Sequence, residues 1–167
     1  EQSVARAINY LKIAQKENGS FDQKHGESEG IGVTALVTTS LLRHGRPPQD
    51  PMVAKSLERL EKHVQSDGGI YSKGSLYRNY ETCLSILCLS EANQDGKYDE
   101  IIANADKFVK GIQWDESEDK EIDESHEAFG GAGYGKHGRP DLSNTSFLVE
   151  ALKAAGNDAD SEAMQNA

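Results

Sequence analysis

The sequence predicts an all-α protein built from helical-hairpin repeats, and three observations lead there. First, one local plan occurs three times. A glycine-rich turn ends in an aromatic residue, at Asn18-Gly19-Ser20-Phe21, Gly68-Gly69-Ile70-Tyr71 and Gly131-Ala132-Gly133-Tyr134. A basic turn follows, at Lys24-His25-Gly26, Lys73-Gly74 and Lys136-His137-Gly138, and then a helix entered through Thr34, Thr82 or Thr145. Second, the spacing is regular: Phe21 to Tyr71 is 50 residues and Tyr71 to Tyr134 is 63, the excess matching the 13 residues Asp115–Glu127. Third, the first helix of each pair carries a charged face, whereas the second is almost uncharged. A helix with no polar face is buried on most sides, so the pairs predict two concentric layers, first helices outside and second helices inside.

In chain order, Ser3 reads as a helix cap ahead of Val4, Ile8 and Leu11 at helical spacing. This helix should run to about Lys16 and stop at Asn18-Gly19, where glycine accepts a left-handed turn. Ile31 to Leu42 contains no charge, and Gly45-Arg46-Pro47-Pro48 ends the first unit. Asp50-Pro51 is an N-cap followed by a first-turn proline, opening a helix with Val53, Leu57, Leu60 and Val64 on one side and Lys55, Glu58, Arg59, Glu61 and Lys62 on the other. Thr82 to Ser90 is again uncharged. The third unit begins near Asp99 with Ile101, Ala105, Phe108 and Ile112, and rejoins the plan at Phe129-Gly130-Gly131 after the acidic stretch. The expected organisation is a single domain of three hairpins, about 1–48, 49–97 and 98–157, with the start of a fourth unit at 161–167. The opening at Glu1 and this new helix start lead us to expect a processed chain or a fragment of a longer one.

A chain of 167 residues is long enough for one sizeable core. Its net charge of −10 argues against nucleic acid and anionic membranes as partners. Most of that charge is local, because Asp115–Glu127 holds eight acidic residues against Lys120 alone. The stretch lacks the glycine and ligand spacing of an EF-hand, so a solvated, dispensable loop is expected. No apolar run approaches the roughly 20 residues of a membrane span. Cys83 and Cys88 lie five apart on one predicted helix, poorly placed for a mutual disulfide, and read as small core residues. They leave the compartment open.

Arg6-Ala7-x-x-Tyr10-Leu11-x-x-x-Gln15-x-x-x-Gly19-x-Phe21 resembles the QW repeat of squalene-hopene and oxidosqualene cyclases, with Phe21 in place of the usual tryptophan. Gln65…Gly69-Ile70-Tyr71 resembles a second copy, and Phe108-Val109-x-x-x-Gln113 the start of a third. The resemblance covers nearly the whole chain. It implies part, about half, of the α/α toroid shared by terpenoid cyclases and the β subunits of protein prenyltransferases. Fold alone does not carry function.

The resemblance also states where chemistry should lie. In the cyclases an Asp-x-Asp-Asp motif at the top of an inner helix protonates the polyene. Its counterpart here is Asp141-Leu142-Ser143-Asn144, followed by Thr145. The acid position is Ser143, and a hydroxyl is far too weak an acid for alkene protonation. Asp141 and Ser143 after Pro140 also read as helix-capping residues. In the prenyltransferases zinc is held by Asp-x-Cys and a histidine. The matching positions, Glu81-Thr82-Cys83 and Asn144, end in a neutral amide, a poor zinc ligand. No metal or cofactor is therefore expected.

The binding candidates are the cluster Tyr77, Arg78, Tyr80 and Glu81 at the entrance to the second inner helix, with Tyr134, Lys136, His137, Asp141 and Asn144 from the third repeat. Tyrosines, a guanidinium and a carboxylate together suit a polar-aromatic mouth that orients a ligand. His25 and His137 occupy equivalent loop positions, while His44, His63 and His126 are scattered. Two functions follow: a non-catalytic scaffold binding an apolar small molecule or a protein, or a piece of a cyclase- or prenyltransferase-like enzyme whose catalytic groups lie outside this chain. Self-association or a homodimer through open repeat flanks is a third expectation.

Overall fold

The computed structural model describes residues 2–21, 30–115, 122–135 and 139–167. They form seven helices: α1 (Gln2–Ala14), α2 (Ile31–Arg43), α3 (Pro51–Glu61), α4 (Arg78–Ala92), α5 (Asp99–Lys110), α6 (Leu142–Ala154) and α7 (Glu162–Asn166). The β-structure among the described residues is a single isolated bridge, Val64 to Ile70. Local chemistry sets the helix ends. Asp50 accepts from the Met52 N–H at 2.9 Å with Pro51 behind it, and Asp141 accepts from the Asn144 N–H at 2.9 Å. Ser3, expected as a cap, lies inside α1.

The two layers are present. Helices α2, α4 and α6 pack side by side as an inner row, and α3, α5 and α7 each lie against the inner helix that precedes them. Ile31, Leu41, Leu84, Ile86, Leu89, Leu148 and Leu152 of the inner row are fully buried, joined by Val53, Leu60 and Val109 from the outer one. The inner helices also bury hydroxyls, and several of these are satisfied within their own helix. Thr38 donates to the Thr34 carbonyl at 2.7 Å, Thr39 to Ala35 at 2.8 Å and Ser85 to Glu81 at 2.7 Å. Such bonds let an uncharged helix bury hydroxyls at little cost; Ser90 Oγ of α4 is the exception among the described inner-helix hydroxyls, buried without a partner.

Two joints recur in every repeat. The threonine opening each inner helix accepts a backbone N–H from its own turn: Phe21 N–H to Thr34 Oγ1 (3.3 Å), Ile70 to Thr82 (3.0 Å) and Ala132 to Thr145 (3.0 Å). Two residues earlier in each turn stands a left-handed glycine, Gly19 (φ 84°), Gly68 (φ 88°) or Gly130 (φ 73°). A Cβ on these would lie 2.3, 2.6 and 1.5 Å from the carbonyl oxygens of Lys55, Asn104 and Asn166. The glycine is needed for its φ and for this close approach. Each turn is thereby clamped to the next outer helix, and α7 occupies at Gly130 the place that α3 and α5 occupy at Gly19 and Gly68.

These joints correct the register expected from the aromatics. Phe21, Ile70 and Ala132 are mates, not Phe21, Tyr71 and Tyr134. Gln65 is likewise not the mate of Gln15. Gln15 Nε2 donates to the Met52 carbonyl (2.8 Å), and Gln113 Nε2 to the Ala163 carbonyl (3.0 Å) and the Gly130 carbonyl (2.8 Å). The equivalent position in the middle repeat is Val64. Gln65 instead ties its own loop together through the carbonyls of His63 and Tyr71, both at 2.9 Å. The acidic stretch needs a correction too. Among its described residues Ile122 is buried, so the insertion is anchored and not wholly solvated.

Candidate functional site

The inner-helix end that carries the threonines also carries a cleft of about 300 Å³, lined by Gly30, Gly32, Val33, Tyr77, Tyr80, Glu81, Tyr134 and Ser143. Four segments build it, the first being the start of α2 with Gly30, Gly32 and Val33. Tyr77 is the residue before α4 and Tyr80 and Glu81 are in its first turn; Tyr134 comes from the third repeat's turn; Ser143 is in the first turn of α6. The third turn is fastened to α4 by Asn79, whose backbone N–H donates to the Tyr134 carbonyl (3.0 Å) and whose amide donates to the Gly133 carbonyl (2.7 Å).

The tyrosines meet edge to face. Tyr134 lies 5.3 Å from Tyr77 with planes at 87°, and 5.9 Å from Tyr80 at 64°. Tyr80 in turn lies 5.3 Å from Phe147 of α6 at 84°. Its other side reaches α2, where a Cβ on Gly32 would stand 3.4 Å from the Tyr80 ring. Tyr80 therefore spans the tops of all three inner helices, and the bare backbone at Gly32 keeps the cleft open. Such T-shaped contacts preorganise ring orientation beyond simple area burial. Glu81 is buried, with Oε2 accepting the Ser72 N–H at 3.1 Å.

The remaining candidates divide. Arg78 is turned outward, its guanidinium 5.2 Å from the centre of the Tyr71 ring and its Nε donating to the Ser75 carbonyl. Asp141 and Asn144 form a closed cap: Asn144 Nδ2 donates to Asp141 Oδ2 at 2.5 Å. The backbone and side-chain amides of Asn144 hold the Asp141 carboxyl below the usual carboxylate range. Neither residue lines the cleft, and Asp141 is already committed to capping. Lys136 and His137, like Lys24 and His25, lie outside the described residues. His44, His63 and His126 engage nearby backbone, at the Ser40 carbonyl, the Arg59 carbonyl and the Ala128 N–H, and none lines the cleft. Gly30, Gly32 and Val33 were not singled out in the sequence; the signal for them was the glycine pair opening an uncharged helix.

Among the described residues no group of three or more His, Cys, Asp and Glu is placed to hold a metal. Cys83 is fully buried and donates to Asn79 Oδ1 at 3.3 Å. Burial pushes its thiol well above the ordinary range, which opposes the thiolate a zinc site needs. No helix among the described residues is long and apolar enough to cross a membrane.

The pattern of Asp141 as cap, Ser143 on the cleft wall and a buried inner-helix row meets a direct comparison here. The profile of the squalene-hopene cyclase C-terminal domain matches residues 29–167, most of the chain. The chain belongs to that family. No curated protein matches it. As a squalene-hopene cyclase C-terminal domain relative, it forms a partial α/α toroid, and the top of α6 is the position at which the resemblance places the cyclase acid. By that resemblance the position is Ser143, which lines the cleft together with the three tyrosines.

Proposed function

We propose that this chain is a binding scaffold of the terpenoid cyclase type, holding an apolar small molecule at the inner-helix end without supplying an acid of its own. The observation that carries this reading is Ser143. It lines the cleft beside Tyr77, Tyr80 and Tyr134, where the resemblance calls for a carboxylic acid. The tyrosine rings offer apolar faces and edges that grip hydrocarbon, while the serine hydroxyl cannot protonate an alkene. A second reading, in which acid and further walls come from outside residues 1–167, is favoured by the α2 side of the cleft, where Val33 lines the space yet is half exposed.

Squalene, added from a cyclodextrin carrier, is a suitable probe, followed by the aromatic proton signals of the tyrosines. Binding should shift Tyr77, Tyr80 and Tyr134 together, and Tyr134→Ala should weaken it about tenfold, the loss of roughly 1.4 kcal/mol of contact. Ser143→Asp should leave affinity within about threefold, because the hydroxyl contributes no apolar contact. Equal squalene uptake by wild type and Tyr134→Ala would remove the cleft from the reading. A cyclised product from the wild-type chain would replace it with an enzyme.

A further inference from the structure

A second cavity lies at the other end of α4 from the tyrosine cleft. It measures about 390 Å³, and its floor is Leu57 of α3, Ala92 at the end of α4 and Tyr98, all buried. Its walls are two loops that are fastened in place. Pro48 and Gln49 belong to a loop in which Arg46 pairs with Asp50 at 3.1 Å. Gln94 and Asp95 belong to one in which the Asn93 side chain accepts the Tyr98 N–H at 3.0 Å and donates to Asp99 at 2.6 Å. The charge of the lining is uneven: three carboxylates, Glu58, Glu61 and Asp95, stand with one ammonium, Lys97, a net of −2. Lys97 and the Tyr98 hydroxyl both donate to the same oxygen, Glu61 Oε1, at 2.7 and 3.0 Å. None of these residues lines the tyrosine cleft.

The next hairpin shows what this space holds when the chain fills it itself. Asp106 and Lys110 of α5 are the mates of Leu57 and Glu61, 49 residues on, as Asn104 is from Lys55. Asn157 is the mate of Gln94, 63 residues on, as Thr145 is from Thr82. There Lys110 Nζ donates to Asp106 Oδ2 at 2.7 Å and to Asn157 Oδ1 at 2.6 Å, and Asn157 Nδ2 donates to Asp106 Oδ1 at 2.7 Å. An ammonium on an aliphatic stem thus closes the third hairpin. In the second, the lysine position holds the Glu61 carboxylate, and Leu57 offers an apolar floor in place of an acid. We propose that the second hairpin's cavity binds an aliphatic diamine. One ammonium meets Glu58 and Glu61, which share a helix face three residues apart. The other meets Asp95, and the methylenes lie over Leu57 and Ala92. Two guest charges match the net charge of the lining, whereas an anion is repelled by it and a neutral guest desolvates carboxylates without compensation.

The test titrates putrescine, butylamine and butanediol into the isotope-labelled chain and follows its amide signals by NMR. Putrescine should saturate at about 1 mM and move the side-chain amides of Gln49 and Gln94 together with the Tyr98 backbone. Butylamine should bind about fivefold or more weakly, and butanediol should leave the signals in place. Glu58→Gln and Asp95→Asn, both at exposed positions, should each weaken putrescine about two- to fivefold while melting within about 2 °C of the original. Lys97→Gln, which removes the resident cation, should tighten putrescine by a similar factor. Shifts confined to the acidic stretch 115–127, or shifts that never saturate, mean general attraction to a chain of net charge −10 and overturn the proposal. Equal binding of putrescine and butylamine also overturns it, as does a putrescine affinity unchanged in both Glu58→Gln and Asp95→Asn.

Discussion

Gly130 and Trp114 keep a hydrogen-bonded turn across 15 intervening residues: the Gly130 N–H donates to the Trp114 carbonyl at 2.7 Å, and the Trp114 N–H to the Gly131 carbonyl at 2.9 Å. The same two bonds close the ordinary turns. Gly19 donates to Lys16 and Lys16 to Ser20, and Gly68 donates to Gln65 and Gln65 to Gly69. Only two residues separate Lys16 from Gly19 and Gln65 from Gly68. The acidic stretch has thus been added inside a turn whose closing bonds remained in place.

Removing Asp115–Glu127 and joining Trp114 to Ala128 restores the two-residue turn. In the other repeats the residue before the glycine, Asn18 or Asp67, accepts a backbone N–H at 3.1 Å, so Phe129→Asn should accompany the deletion. We expect this shortened chain to fold. Its loss of stability should not exceed that of Ile122→Ser alone, about 1.5–3 kcal/mol for a buried aliphatic side chain. Urea unfolding of both variants measures it. A deletion that costs far more than Ile122→Ser means the loop makes further contacts.

The clamping glycines should separate from glycines that are merely left-handed. Gly68→Ala should cost more than about 3 kcal/mol, combining left-handed strain with displacement of the Asn104 carbonyl. Gly45 has φ 81° but nothing within 4 Å of an added Cβ, so Gly45→Ala should cost only the strain, about 1–2 kcal/mol. Equal losses in the two variants contradict the clamp.

Asp141 makes stability depend on acid pH in a known direction. Its folded pKa is depressed by the Asn144 amides. The stability it contributes is therefore present above its unfolded pKa of about 3.9 and is lost as pH falls through the lower folded value. Asp141→Ala should cost about 0.5–2 kcal/mol at pH 7, the usual worth of an N-cap, and this difference should shrink steadily below about pH 4. A difference that stays constant to the lowest pH at which both variants fold shows the cap to be electrostatically silent.

Both thiols should be inert in the native chain. Burial raises Cys88 to about 12, partly offset by its bond from Thr39, and drives Cys83 further up. Ellman's reagent should release no colour from the native protein and two equivalents after unfolding, matching the two cysteines. Prompt reaction of either thiol at pH 8 indicates that the inner row opens locally.

Much of the layered fold was legible because it is written in composition: an uncharged stretch such as Ile31–Leu42 has no face to offer water. The threonines opening α2, α4 and α6 were legible as a recurring position, though not as acceptors of a turn N–H. The register was misread by following the aromatics. Tyr71 and Tyr134 are conspicuous side chains, but the repeat is held by backbone contacts at Gly19, Gly68 and Gly130, which carry no side chain. In the cleft, Tyr77, Tyr80, Glu81 and Tyr134 were found by their chemistry. Arg78 was misplaced because helical rotation at α4's first turn sends it to the Tyr71 ring. Gly32 escaped notice because what it contributes is empty space beside Tyr80.

The two joints of each repeat also set how the chain should assemble. A turn reaches its own inner helix across 12 or 13 residues, as from Ile70 to Thr82 or Phe21 to Thr34, and reaches the next outer helix across 36, as from Gly19 to Lys55, Gly68 to Asn104 and Gly130 to Asn166. No distant segment must find another before the first contacts form, so the entropic search is short and folding should be fast for a chain of this length. Growth can start at any joint and spread to its neighbours. Helix α4 is flanked by inner helices on both sides, and ten of its residues are buried. Its amides should be the last to exchange with solvent, with α1, which buries none of its residues, among the first.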